Sequence, residues 1–581
     1  MAQKTVAVLG GGVGGMSAAH MLASRGFKVT VYDRNKLYVG GKARSVDVPG
    51  TNTPFADKYL PGEHGFRFFP GFYKHVIETM KEIPFGGGKT AYDNLVSTDT
   101  IQINQIGLPA IKVPLHIPRN LQDVREIFAA IEQASAELTK SEADFFSDRV
   151  WQLMTSCNDR FLAEYESIGW WDYTNADSFS EAYQRLLVDG LTRSLVASKA
   201  RLASTRTVGT MFLQLLYTMI DADKDNTDRV LKLPTNDAWL TKWLEYLNSI
   251  GVDYHNGHDL SKINMSSSAS GAPIESVTII NLETNTALPP VTADYYVLAV
   301  PVEVAAKLVL GSPEMLTADP SLQHIIDLSP NVEWMNGIQF YLSEQFDMHR
   351  GHTIYSGSNY ALTSISQKQF WPNYDLTSRL HGKVRGVLSV DVSDWTTAGN
   401  FNNKAAKDCT RHEVIVEVFK QLQQEINIGG EELLKEDMLV FVYIDDDIYN
   451  PFLTSLPSPA CPNLNLKAED GIKIRDLQNR EPLLVNLHDT WPLRPEAATN
   501  IPNLLLASDY VKTNTDLACM EGANEAARRA TNSILERSGS TAAPLNLWSF
   551  RSPFPLSVFQ TVDWIRWKLG RPWSPWPLWP F

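Results

Sequence analysis

The apolar run "VAVLG" leads directly into Gly10-x-Gly12-x-x-Gly15, and a second apolar run, "KVTVY", ends at Asp33. These residue types at this spacing suit a dinucleotide. Gly10 permits a tight turn, Gly12 lets backbone approach a pyrophosphate, and Gly15 lets a helix pack closely on the strand before it. "MSAAHMLASRG" between the runs is helical in character, so its N-terminal N–H groups and dipole face the phosphates. Asp33 is placed to accept hydrogen bonds from a ribose. Gly40-Gly41 and Arg44 follow shortly after. That pair allows a second close backbone approach, and the guanidinium supplies a fixed charge for a diphosphate.

Nearly the whole chain separates this region from "NLLLASDYVKTNTDLACMEGANEAARRA", which reads as a buried strand, a polar loop and a helix. The two stretches together resemble the N- and C-terminal flavin signatures of the FAD-dependent amine oxidase and phytoene desaturase superfamily. "TADYYVLAVPVEVAA", Thr292 to Ala306, resembles the strand leading out of that family's FAD domain. "LPTNDAWLTKWLEYLNSIGVDYHNG" resembles the family's helix and strand on the adenine side. The resemblance implies non-covalent FAD held by Gly10, Gly12, Val13, Gly14, Gly15, Asp33 and Arg34, then by Gly40, Gly41, Lys42, Ala43 and Arg44. It adds Gly65, Phe66, Ala299, Pro301, Ser508, Asp509, Met520, Glu521 and Ala523, with backbone N–H groups of the Met520-Glu521-Gly522 turn at the flavin N1/O2 edge. Asp33 stands where the family usually has glutamate, Ser508 where it has glycine, and Cys519 where it has serine.

"PGEHGFRFFPGFYKHVIETM", between Pro61 and Met80, is similar to a segment that phytoene desaturase-like enzymes carry near the flavin ring. His64, Arg67 and Tyr73 are the expected catalytic-site side chains, with hydrogen bonding inside the fold as the alternative for His64 and Arg67. Asp509-Tyr510 favours the desaturase-like branch over amine oxidases. The resemblance then implies hydride transfer from a C–H of an apolar, isoprenoid-like substrate to flavin N5. An amine or amino-acid oxidase, a flavin-dependent lipid isomerase or dehydroxylase, and a scaffold that keeps FAD for structure remain as alternatives. The electron acceptor is left open.

The elements that must position these residues follow from length and patterning. A chain of 581 residues exceeds one core of roughly 250–300 residues. The expected fold class is α/β: a Rossmann-like FAD-binding domain of the two-dinucleotide-binding-domain type, with an inserted α+β substrate domain. The FAD-binding parts are placed at 1–78, 232–308 and 495–538, the substrate parts at 79–231 and 309–494, and a tail at 539–581. "TVGTMFLQLLYTMI", Thr207 to Ile220, is apolar nearly all round and reads as buried. Trp170, Trp171, Tyr217, Met335, Phe340 and Tyr341 are core residues or cavity walls.

Net charge of −14 excludes nucleic acid as the main partner. Cys157, Cys409, Cys461 and Cys519 have no paired spacing, which excludes a disulfide framework and a zinc site. No metal is expected: the acidic "YIDDDIYN" lacks an accompanying histidine and reads as a solvated turn, and His349-x-x-His352 lacks the helical context of a zinc motif. "FGGGKT", Phe85 to Thr90, lacks the first glycine of a P-loop and reads as a surface turn. With no signal-peptide pattern and no apolar run of membrane-spanning length, the expected location is cytoplasmic. The tail holds six of the fifteen tryptophans and sets Arg551, Arg566, Lys568 and Arg571 against Asp563. Val558, Val562, Ile565 and Leu569 share one helical face there. Such a segment suits peripheral contact with a membrane interface, or wraps back over an apolar groove of the body.

Overall fold

The computed structural model describes residues 3–52, 58–98, 101–112, 120–135, 137–190, 192, 198–218, 228–449, 472–550, 552, 554 and 556–575. Its organising element is a five-stranded, fully parallel sheet in the order Asp253–Asn256, Lys28–Asp33, Thr5–Leu9, Tyr295–Leu298, Leu504–Leu506. Strands from three distant parts of the chain thus pair side by side, with Val8 opposite Val297 and Val297 opposite Leu505. Tyr295–Leu298 and Leu504–Leu506 are buried along their whole length, as parallel strands covered on both faces must be. Helices Val13–Ala23 and Met520–Ser538 pack together beside the sheet.

A seven-stranded sheet forms the second layer, ordered Leu108–Lys112, Ile101–Gln105, His352–Tyr355, Leu362–Ser366, Gly386–Val392, Asn336–Leu342, Leu439–Ile444. Its pairs are antiparallel except Ile101–Gln105 with His352–Tyr355. Helix Arg411–Ile426, opened by a Thr410/Glu413 capping box, packs Val414, Val418 and Phe419 onto one side of it. A helical block, with Lys140–Thr155 and Thr205–Thr218 at its centre, supplies a separate core that includes Trp170, Phe146 and Tyr217. The described part of the expected buried helix is therefore inside, while Met219 and Ile220 lie outside the described residues. Phe340 and Tyr341 belong to cores, and of the six expected core or wall residues Met335 alone lines the central cavity. "FGGGKT" is a small hairpin with exposed Gly87 and Gly88 at its tip, as a surface turn requires.

The tail helix, Leu556–Lys568, lies on the helical block. Asp563 is 2% exposed and pairs with Arg160, itself 1% exposed, through contacts of 2.9 and 3.0 Å. Phe550 stacks on Tyr217, and the Trp573 indole N–H donates to Thr155. The apolar stripe faces mostly outward, with Val558 43% exposed, Ile565 48% and Leu569 65%, while Val562 is half-buried. One buried carboxylate on the opposite side decides this orientation. Arg551, Trp576 and Trp579 lie outside the described residues, as does Cys461. Among the described residues no helix is long and apolar enough to cross a membrane.

Candidate active site

The first glycine turn sits at the carboxyl end of Thr5–Leu9. Gly10 adopts φ +108°, which a side chain would strain, and its N–H donates to Tyr32 O at 2.9 Å. A Cβ on Gly15 would lie 1.8 Å from Gly10 O, so this position is reserved for close helix–strand packing. Gly12 is different: a Cβ there would meet only Gly41, at 3.7 Å and beyond. Gly12 bridges to Gly40, so the two glycine turns abut and together face open space. Gly12 also caps the Val13–Ala23 helix with no side-chain hydrogen bond and no acid in the first turn, which leaves the helix N terminus open to an anion. Asp33 accepts from the N–H groups of Gly11 at 2.5 Å and Asn35 at 2.6 Å. Burial pushes its carboxyl up against those two bonds.

These turns open into a cavity of about 1280 Å³. Gly10, Gly12, Val13, Gly14, Asp33, Arg34, Gly40, Gly41, Lys42, Ala43 and Arg44 form one part of its wall. Ala299, Pro301, Ser508, Asp509, Met520 and Ala523 form another, and His64, Gly65, Phe66, Arg67 and Tyr73 a third. The structure therefore gathers almost every residue the sequence singles out, with Gly15 and Glu521 outside the wall. The Glu521 side chain turns away and accepts from the N–H groups of Lys74, His75 and Val76 at 2.7–2.9 Å and from His75 Nδ1 at 2.8 Å. Trp548 N–H donates to His75 Nε2, which fixes the proton on Nδ1. Glu521 thus joins the first turns of helices His75–Glu82 and Met520–Ser538, and only its backbone belongs to the turn beside the cavity.

Two expectations change. The Asp445–Asp447 turn is solvated only at Asp446, which is exposed: Asp445 is 1% exposed and Asp447 4%. Its histidine comes from elsewhere in the chain, with His64 Nδ1 at 2.6 Å from Asp445 and 3.7 Å from Asp447. Burial alone would raise the Asp445 carboxyl, but His64 and the Asn336 amide hold it below the ordinary carboxylate range. Burial pulls the His64 ring down while Asp445 lifts it further up, so the ring ends above its ordinary value. This set could hold a cation by its ligand types, yet Asn336 and Arg44 already occupy its carboxylate oxygens. Arg44, expected to supply a fixed charge for a diphosphate, also pairs with Asp447 at 2.5 Å and Glu481 at 3.3 Å. It ties the second glycine turn to the Asp445–Asp447 turn and to Glu481.

The cavity continues onto the seven-stranded sheet, where sequence reasoning missed three polar wall residues: His352, Thr363 and Asp391. The signal for them is sheet register. Thr363 lies directly opposite Asp391, and His352 packs its ring on Phe66 and Phe68 at 5.0 and 5.3 Å. Phe72, Val208, Met211, Leu215 and Met335 supply apolar wall in the same cavity. Tyr73 and Cys519 are neighbours, and burial pushes the Cys519 thiol up to about 12, so it is protonated at neutral pH.

The residues fit FAD: an open helix N terminus beside two abutting glycine turns, where a Cβ on Gly12 would meet nothing nearer than 3.7 Å, is a cradle for a pyrophosphate. Residues 8–83 match the NAD(P)-binding Rossmann-like domain family. Over 82 residues the chain is 46% identical to 4,4'-diaponeurosporene oxygenase of Staphylococcus haemolyticus (strain JCSC1435), an alignment spanning 14% of this chain and 16% of that protein. Solved structures with a similar fold include putrescine oxidase with bound putrescine (14% identity, TM-score 0.56, covering 92% of this chain and 99% of that one). Cyclohexylamine oxidase of Brevibacterium oxydans IH-35A (13%, TM-score 0.55, 92% and 100%) and an oxidoreductase of Methanosarcina mazei (12%, TM-score 0.55, 92% and 100%) are further examples. The chain therefore carries an N-terminal Rossmann-like dinucleotide-binding unit within the overall fold that these oxidoreductases share.

Proposed function

We propose that the protein is a FAD-dependent oxidoreductase that removes hydride from a C–H of an apolar, lipid-like substrate, as a desaturase or dehydrogenase does. The observation that carries this reading is the continuity of one cavity. It joins the dinucleotide cradle at Gly12 and Gly41 to a chamber lined by Phe72, Val208, Met211 and Leu215. When bound, the flavin supplies the hydride acceptor. The chain's own residues bind, orient and exclude water. The N terminus of helix Met520–Ser538 directs its positive end at the cavity through Met520 and Ala523 and favours negative charge there. Gly65 keeps backbone low between Asp391 and the cavity, since a Cβ would lie 2.6 Å from Asp391 Oδ1. The 82-residue match to 4,4'-diaponeurosporene oxygenase agrees with a lipophilic substrate. Product analysis tests this reading. Incubation with polyene lipids should give products two hydrogens lighter, whereas aldehyde and peroxide from amines would replace it with an amine oxidase. A rearranged lipid of unchanged redox state, or a lipid that has lost its hydroxyl, would point to the isomerase or dehydroxylase alternative.

We propose in addition that the protein rests on a membrane surface through its tail. Val558, Trp564, Ile565 and Leu569 project from a helix anchored on its other side, beside Arg566 and Lys568, in a chain that is otherwise acidic. Replacing Trp564, Ile565 and Leu569 together by serine should abolish co-sedimentation with anionic vesicles while FAD content stays unchanged. Equal sedimentation of both forms would refute the contact.

A further inference from the structure

The substrate end of the cavity is not uniformly apolar. Three side chains at least nine-tenths buried stand on its wall with polar atoms that have no partner in the protein: Asp391 Oδ1, Thr363 Oγ1 and both ring nitrogens of His352. Arg67 joins them with Nε and Nη2 unpartnered, its nearest carboxylate contact being Glu63 at 3.8 Å. Buried polar groups are almost always satisfied, and each left unpaired costs about 1–3 kcal/mol. Four residues in this state lining one cavity mark a place where a ligand completes the bonding.

We infer that Arg67, His352, Thr363 and Asp391 form a subsite for a hydroxyl group, so that the substrate is a lipophilic alcohol rather than a bare hydrocarbon. This rests on the proposed FAD-dependent reading and narrows its substrate class. The chemistry of the set selects the group. An anionic head would bind Arg67 but face the carboxyls of Asp391 and Glu63. A cationic amine would suit those carboxyls but face the Arg67 guanidinium. A neutral hydroxyl donates to Asp391 or Thr363 and accepts from Arg67 or His352, so it satisfies donors and acceptors together. Burial pushes the Asp391 carboxyl up to about 7 against the pull of Arg67, and burial holds His352 down to about 3, hence neutral. His352 therefore adds no charge, and Asp391 is only partly ionised at neutral pH. Sheet register fixes the arrangement: Thr363 and Asp391 are a directly opposed pair on adjacent strands, and Gly337, opposite Asp391 on the other side, packs its backbone on Gly65.

The test uses the FAD-loaded full chain, a C20 isoprenoid alcohol and its deoxy hydrocarbon as probes, and perturbation of the flavin absorbance under anaerobic conditions as the readout. The alcohol should bind at least roughly tenfold more tightly than the hydrocarbon, because a site built for a hydroxyl rejects the analogue lacking it. Thr363→Val and Asp391→Leu should each erase that preference, by weakening alcohol binding relative to hydrocarbon binding. Unchanged FAD content and melting temperature in Thr363→Val, which is nearly isosteric, ensure that a folding defect does not mimic the result. Equal binding of the two probes, binding of neither, or a preference for the alcohol that survives both substitutions would each overturn the subsite. Failure of the protein to hold FAD at all would instead overturn the reading on which it rests.

Discussion

At the scale of single residues, the glycines separate into those the fold needs and those the ligand needs. Gly15 belongs to the first kind, with Gly10 O at 1.8 Å from a would-be Cβ, and Gly12 to the second, with nothing nearer than 3.7 Å. Gly15→Ala should lower the melting temperature of apo- and holoprotein alike, at a cost of about 1–3 kcal/mol or more from overpacking. Gly12→Ala should leave the apoprotein melt unchanged and weaken FAD binding at least roughly tenfold, since its methyl enters only the cavity. Thermal melts with and without FAD decide between them. Asp391 gives a second residue-scale prediction. Its folded-state pKa of about 7 stands above the ordinary 3.8, so the folded chain keeps a proton that the unfolded chain releases. Stability from this group therefore falls as pH rises from about 4 to 7 and is constant above that. Asp391→Asn removes the dependence, so its gain in melting temperature over the parent should be larger at pH 8 than at pH 5. Parallel pH profiles would contradict the assignment.

At the scale of elements, the strand–turn–helix of Thr5–Ala23 and the late strand Leu504–Leu506 were legible because their signals are local: apolar runs, glycine spacing and an acid at a fixed offset. The partnership of His64 with Asp445 and Asp447 was not, because hundreds of residues separate them and only the packing of strand Pro61–Glu63 on strand Asn336–Leu342 brings them together. His352, Thr363 and Asp391 escaped for the same reason, since strand register decides which face each side chain takes. The tail was half legible. Its composition identified an amphipathic helix, but the single Asp563, read as a minority charge, turned out to set which face turns inward. Breaking a buried pair of this kind costs about 3–5 kcal/mol. Asp563→Ala should therefore release the helix and speed protease cleavage between residues 539 and 556 by roughly tenfold or more, without loss of FAD. Unchanged cleavage would show that the apolar contacts of Leu556, Phe559 and Trp573 suffice.

At the scale of the whole molecule, the parallel sheet and the seven-stranded sheet contribute opposite walls of one cavity. The first brings the glycine turns, and the second brings a mixed apolar and hydrogen-bonding surface. In the proposed reading that division places a dinucleotide against an otherwise apolar guest, and the distant N- and C-terminal motifs line one cavity. The most direct measurement is anaerobic: the yellow holoprotein is mixed with polyene lipids and isoprenoid alcohols, and separately with amines, while the flavin absorbance is followed. The account predicts bleaching by a lipid and no response to amines. Bleaching by an amine alone, or a purified protein that neither carries nor takes up FAD, would contradict it.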